Sequence, residues 1–214
     1  SAMSDQPIMD RELRLFNYFD MDESCYNVCG TVQSGAAAFN WALDTLIALD
    51  DPAKKKDFAA LEAMARSVPA GANGVFFLPT LMGERTPWWT AKASGMLIGC
   101  TLYHRPEHIL RAVYEGVMQA LRFCGDILRE NGLPVQALTL IGGGAKSGLW
   151  GQMAADMFGA HISVHATPHE ATSLGAALAA GVPVSIEGAG CVEKSWPEFW
   201  QVLQACLGAE VTLL

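Results

Sequence analysis

The stretch Leu138-Thr-Leu-Ile-Gly-Gly-Gly-Ala-Lys-Ser147 carries the pattern most able to do chemistry: a short apolar run, three consecutive glycines, then a hydroxyl residue. Beyond Ser147, apolar side chains fall at Trp150, Met153, Ala154 and Met157, the spacing of one helix face, and Gly159 is placed to end that helix. Ser147 suits the N-cap. A strand, a glycine turn and a helix N-terminus leave backbone N–H groups open to a ligand, because no Cβ blocks the approach. The first reading is a nucleotide site. A Gly-rich turn also serves any α/β protein as a plain strand-to-helix connection, so the sharper motifs matter. A phosphate-cradling P-loop needs glycine at positions 140 and 145, which hold Leu140 and Ala145. The dinucleotide pattern G-x-G-x-x-G is met by Gly142 and Gly144 but finds Ser147 in third place, and the acidic residue expected about 20 positions on is absent. Neither motif is present.

Other residues invite chemistry and have a plainer reading beside it. His161, His165 and His169 suggest a metal, but on a strand only the first two share a face, and Pro168 interrupts the run; the expectation is no metal site. Lys146 could approach a phosphate, although its charge opposes the helix dipole and an exposed lysine is the simpler reading. Arg85 either reaches a cleft or pairs with Glu84 on its loop. Glu115 and Asp156 lie on helices without a neighbouring base and read as polar-face residues, and Trp150 reads as core.

The elements that must position these residues follow from periodicity and breakers. Residues 8 to 33 read as a hairpin, with Leu13, Leu15 and Tyr18 on one arm, Tyr26, Val28 and Gly30 on the other, and acidic Asp20 to Ser24 between. From Ser34 as cap, Ala36, Phe39, Leu43, Leu46 and Ile47 mark a helix face. Its small first turn, Gly35 to Ala38, would admit a backbone or a flat ligand, with Asn40 just inside. Asp51-Pro52 starts a second helix, with Leu61, Ala65 and Val68 inward, stopped at Pro69-Ala-Gly71. Val75-Phe-Phe-Leu78 is a wholly apolar strand, and the loop Pro79 to Gly95 that follows, with Glu84, Arg85, Trp88 and Trp89, is long enough to suggest more than connection. The longest helix opens at Pro106 and closes at Asn131-Gly132, burying Ile109, Ala112, Val113, Gly116, Val117, Ala120, Leu121, Cys124 and Leu128. A strand from Ile162 to Val164, a helix from Ala171 to Ala180 and a last helix around Phe199 to Cys206 complete the pattern. Strands alternating with helices give an α/β sheet covered by helices, and ligands in such sheets bind at the carboxyl ends of strands, where the glycine turn lies.

Composition narrows the partners. Of 214 residues, 51% are apolar and 17% charged, which supports a buried core in one large domain or two small ones. A net charge of −8 argues against a nucleic-acid surface, the one basic run being Lys54-Lys55-Lys56. No apolar run approaches the ~18 residues that span a bilayer and no signal peptide opens the chain, so a cytoplasmic protein without membrane contact is expected. Six cysteines with no paired C-x-x-C are expected reduced. Ser1-Ala2-Met3 resembles a cloning remnant, with the domain taken as residues 4 to 214.

Gly95-Met-Leu-Ile-Gly99, then Cys100 and seven further residues, then His108-Ile-Leu-Arg-Ala-Val-Tyr-Glu115 closely resembles the second signature of the FGGY carbohydrate kinases, departing at Cys100 where an aliphatic residue is usual. Around it, Leu81-Met-Gly-Glu-Arg-Thr-Pro87, Glu115-Gly116, Gly142-Gly-Gly-Ala-Lys-Ser147, Trp150, Gln152, Ala155-Asp156 and Leu174-Gly-Ala-Ala177 look like the xylulokinase branch, in order over about residues 4 to 185. The resemblance implies the C-terminal, nucleotide-binding half of a two-domain enzyme of the actin and hexokinase (ribonuclease H-like) type, moving the γ-phosphate of ATP to a sugar hydroxyl with Mg²⁺. It implies that Gly143, Gly144 and Ala145 line the adenine and ribose, that Ser147 or Gly148 stands where a base-contacting residue is usual, and that Gly35 and Asn40 lie near the nucleotide. The sugar-binding half and the catalytic aspartate would precede Ser4. Asp5 and Asp10 are weak substitutes, because Ser4-Asp-Gln-Pro7 resembles the segment downstream of that aspartate and proton removal requires hydrogen-bond reach to the substrate hydroxyl. The expectation is an ATP-binding half of a pentulose kinase, inactive alone. Its partners would be ATP or ADP and, through the missing half, a sugar; the oligomeric state, homodimer included, stays open. The alternatives are a regulatory nucleotide-binding domain without catalysis or a kinase of another sugar or polyol. A dinucleotide-dependent oxidoreductase is weaker, for want of the third glycine and the acid.

Overall fold

The computed structural model describes residues 1–20, 24–47 and 57–165. The helix start at Asp51-Pro52, the helix at Ala171 to Ala180, the last helix and His169 lie outside the described residues. The chain forms two compact units: Ser1–Leu138 with Ser147–Ile162, and Thr139–Lys146 with the chain from Ser163 onward.

The first unit opens on an antiparallel sheet of β1 (Ala2–Ser4), β2 (Phe16–Phe19) and β3 (Tyr26–Cys29), in the order β1-β3-β2. The expected hairpin is present, with Phe16 opposite Cys29 and Tyr18 opposite Asn27. Ala2 and Met3 belong to β1. Leu13 departs from the expected strand: it ends a turn at φ 56° and is exposed, its N–H bonded to the Asp10 carbonyl. The buried Asp10 carboxylate causes this, because it takes the Arg14 N–H and both edges of the Arg14 guanidinium at 2.7–2.9 Å. Local side-chain bonds of this kind compete with extended backbone. Asn131 adds a bond to Asp10 at 2.9 Å, and Arg14 also reaches Glu130 at 3.0 Å.

Among the described residues four α-helices follow: α1 (Gly35–Thr45), α2 (Phe58–Arg66), α3 (Pro106–Glu130) and α4 (Gly148–Phe158). The α3 helix begins with Pro106 in its first turn and ends at Asn131 and Gly132, the latter at φ 82°, as its breakers predict. Its buried face is wider than one stripe. Ala112, Val113, Gly116, Val117, Cys124 and Leu128 are inside, but so are Leu110, Tyr114, Met118 and Ile127, while Leu121 is exposed. The reason is packing on several sides: α3 meets α1, α2, α4 and a strand. On α1, Ala38, Phe39, Ala42, Leu43 and Ile47 are buried and Ala36 is not.

That strand is β4 (Phe76–Leu78), antiparallel to β5 (Met96–Ile98). Phe77 turns into the core whereas Phe76, Leu78, Met96 and Ile98 are exposed, so the apolar run is one-faced rather than wholly buried. Gly116 lets α3 approach β4 so closely that a Cβ there would meet the Phe77 carbonyl oxygen. The main core joins Phe39, Leu43, Leu61, Ala65, Phe77, Val113, Val117 and Met153; a smaller one holds Val28, Leu128, Leu133 and Val135. By area bookkeeping each large side chain of this kind contributes about 1.5–3 kcal/mol. The remaining strands, β6 (Ala137–Leu140) and β7 (His161–Val164), form their own pair. Among the described residues, Cys29, Cys100 and Cys124 are free thiols, and no helix is long and apolar enough to cross a membrane.

Candidate functional site

The glycine turn has the form its residues require. After β6 the chain turns at Gly142, whose φ of 80° disfavours any side chain, and Gly143–Lys146 make a turn of 3-10 helix. The Ala145 N–H donates to the Gly142 carbonyl at 3.1 Å, and the Ala145 methyl is buried. Gly143 and Lys146 are exposed and Gly144 is half-buried.

At the start of α4, Ser147 caps as expected: its Oγ accepts the Trp150 N–H at 3.2 Å, and Gly159 ends the helix at φ 59°. A residue from α2 completes the end. Glu62 accepts the Ser147 hydroxyl at 2.8 Å through one carboxylate oxygen and the Leu149 N–H at 2.9 Å through the other. Arg66, one turn along, donates to that second oxygen from Nε at 2.9 Å and Nη2 at 2.7 Å. Burial works against ionisation of Glu62, but the bonds from Ser147 and Arg66 outweigh it and hold the carboxyl below its ordinary range. Gly148 is exposed, and a Cβ on it would lie 3.2 Å from the Arg66 Nη2.

Beneath this helix end sits an aromatic triad. Tyr114 of α3 lies with its ring centre 5.1 Å from Phe39 of α1 and 4.8 Å from Trp150 of α4, and Phe39 and Trp150 are 5.3 Å apart. Trp150 Nε1 donates to the Tyr114 carbonyl at 3.3 Å. Burial, with the charge of Glu62 added, pushes the Tyr114 hydroxyl up to about 12. The triad brings the segment 35–40 and the segment 147–150 of the first unit together. It fills the interior between them with rings. Asn40 is exposed, and Gly35 is half-buried with nothing within 4 Å of where a Cβ would stand.

Two residues near this region carry no signal in the sequence. Glu62 and Arg66 read as an ordinary surface pair at helical spacing, and Glu62 finds Ser147 only in the folded chain. Ser34 precedes α1 as expected but makes no capping bond; its Oγ is buried without a hydrogen-bond partner among the described residues.

The loop after β4 is fixed rather than loose. The buried Glu84 accepts the Gln33 N–H at 2.7 Å and the main-chain N–H of Arg85 at 2.8 Å. Thr86 accepts the Thr31 N–H at 3.0 Å and donates to the Arg14 carbonyl at 2.8 Å. The loop is thereby tied to the segment leading into α1. Arg85, Trp88 and Trp89 are exposed, Trp89 packing on Phe16 at 4.7 Å and Trp88 near Phe123 at 6.1 Å.

The other candidates have structural occupations. Glu115 takes Arg111 Nε at 2.6 Å and the Gly71 N–H at 3.0 Å; Asp156 accepts from Gln152 at 2.8 Å. Asp5 is exposed, and Asp10 is saturated by Arg14 and Asn131. Among the described residues, which include His161 and His165, no group of three or more His, Cys, Asp or Glu is arranged to hold a metal.

Residues 1–184 match the C-terminal domain of the FGGY family of carbohydrate kinases. A xylulose kinase of Staphylococcus epidermidis is 35% identical over 172 residues, covering 80% of this chain and 33% of that protein. A gluconokinase of Bacillus licheniformis is 33% identical over 180 residues, covering 81% of this chain and 34% of that protein. Among solved structures, ligand-bound xylulose kinase from Lactobacillus acidophilus superposes with a TM-score of 0.67 at 28% identity, over 96% of this chain and 45% of the other. The chain spans about a third of the length of the curated relatives it matches.

Proposed function

The chain belongs to the FGGY family of carbohydrate kinases, and from that premise we propose that it is the ATP-binding half of an enzyme that moves the γ-phosphate of ATP to a hydroxyl of a pentulose such as xylulose. The observation that carries the reading is the gathering of residues 35–40 and 147–150 around Phe39, Tyr114 and Trp150, with Asn40 and Gly148 exposed and Gly35 half-buried. A purine needs a surface without side chains in its path, and these positions offer one.

In this reading Ser147 or Gly148 contacts the base, and Gly35 and Asn40 approach the nucleotide from α1. Mg²⁺ enters with the triphosphate, whose charge it neutralises during transfer. Glu84 holds the main-chain N–H of Arg85 and leaves its side chain exposed, which supports a role for Arg85 at the cleft of the complete enzyme. No catalytic base is assigned to this chain: Asp10 is engaged by Arg14 and Asn131 and is not free to take a proton. The base and most sugar contacts belong to the upstream half of the parent protein. Phosphoryl transfer is mostly positioning and charge stabilisation, so a half without those groups should not turn over. Cytoplasmic location follows from the use of ATP. The similar identity of the gluconokinase relative favours a second reading, a kinase of another sugar or polyol.

The test is ADP release with a panel of ketopentoses, gluconate and glycerol. The parent chain carrying its upstream half is expected to release ADP with a ketopentose, and the 214-residue chain alone with none. Turnover by the short chain would contradict the inactivity, and nucleotide binding by the parent without phosphorylation of any sugar or polyol would favour a regulatory domain.

A further inference from the structure

Glu62 is the one carboxylate among the described residues that sits at the N-terminal end of α4, and it is doubly committed there. Its two oxygens take the Ser147 hydroxyl and the Leu149 N–H, and Arg66 binds it from the other side. A helix N-terminus of this length would otherwise attract an anion, because its unpaired N–H groups carry partial positive charge. Here that attraction is already spent on an internal carboxylate. A phosphate brought to the same end would meet Glu62 at close range, with Arg66 beside it already paired to that carboxylate.

We propose that Glu62 is a positioning residue of the nucleotide site: it fixes Ser147 and the first turn of α4, and it bars phosphates from that helix end, so that the uncharged base lies against Ser147 and Gly148. The inference rests on the reading that these residues contact a nucleotide, and it adds the residue that decides which end of the ligand they receive. Gly148 belongs to the same device. A Cβ there would lie 3.2 Å from the Arg66 Nη2, at the flexible end of that side chain, and in ordinary contact with Glu62 at 3.4 Å, so the pair closes directly over the position.

The experiment is calorimetric titration of the 214-residue chain with adenosine, ATP and inorganic tripolyphosphate, for the wild type, Glu62→Gln and Glu62→Ala, each verified as folded by circular dichroism. Removing the carboxylate in Glu62→Ala is expected to weaken adenosine and ATP by the same factor, about tenfold for one lost charge-assisted bond network. Glu62→Gln is expected to recover most of that loss, because its amide oxygen still accepts from the helix end. A purely structural residue would lower thermal stability in both variants without this matched effect on adenosine and ATP. Both variants are expected to gain affinity for tripolyphosphate, since the helix end is then open to an anion; the inference is overturned if neither does, or if adenosine binding is unchanged in Glu62→Ala. A folded wild type that binds neither adenosine nor ATP would remove the nucleotide reading itself, a result distinct from the one that sinks Glu62 alone.

Discussion

Asp10 carries an acidic group that looks available for catalysis in the sequence and is fully employed in the fold. Its hydrogen bonds from Arg14 hold the carboxyl well below the usual carboxylate range, against the opposing effect of burial. A depressed folded pKa stabilises the native state above the unfolded value, about 3.9, and that stability is lost as pH falls through the folded value. Asp10→Asn is therefore expected to cost about 1.5–3 kcal/mol at neutral pH, the range for hydrogen bonds to charged groups, read as a lower urea midpoint with unchanged slope. The difference between variant and wild type should shrink as the pH drops below about 4, because the carboxyl of the unfolded chain then takes up a proton while the folded one stays ionised. A variant as stable as wild type at pH 7 would mean the Arg14 network contributes nothing. At this scale the sequence was least legible. Ser147 declared itself by standing before a helix, but the partner that matters to it, Glu62, lies 85 positions away and shows only a routine pairing with Arg66. The unpartnered Ser34 hydroxyl has no sequence signal either, since Ser before a helix normally predicts a capping bond.

Among the elements, periodicity and breakers located α1, α3 and α4 and the β2–β3 hairpin, since long amphipathic runs bounded by Pro and Gly leave few alternatives. What they could not supply is which neighbours surround a helix. The buried face of α3 broadened to take in Tyr114 and Met118 because several elements press on it, and β4 proved one-faced although its residues are all apolar. β1 was illegible, because three residues carry no period. Two glycines in helices separate local propensity from packing. At Gly151 of α4 an added Cβ would meet nothing within 4 Å, so Gly151→Ala is expected to stabilise by about 0.5–1 kcal/mol. At Gly116 of α3 the same change drives a methyl into the Phe77 carbonyl, a backbone atom that cannot turn aside, and a loss of about 1–3 kcal/mol is expected. Thermal or urea unfolding of the two variants checks the pair. Equal stability would mean that the α3–β4 approach is not tight.

For the molecule as a whole, the family was legible because several motifs stand in register along one chain, which no single glycine turn could establish. The match over residues 1–184 and the superposition on a xylulose kinase rest on that order. Substrate choice was not legible, for a physical reason: the chain spans about a third of its relatives, and a sugar hydroxyl is recognised by hydrogen bonds from residues that surround it. In the proposed reading this chain supplies the nucleotide side, which requires two separate stretches of it to meet the same purine. Photocrosslinking with 8-azido-ATP, followed by mass mapping of the labelled peptides and competition by unlabelled ATP, tests that dependence most directly. Competed label is predicted in two peptides, one spanning Gly35 to Asn40 and the other Ser147 to Trp150. Competed label confined to other peptides, or none from a folded chain at saturating nucleotide, would contradict it.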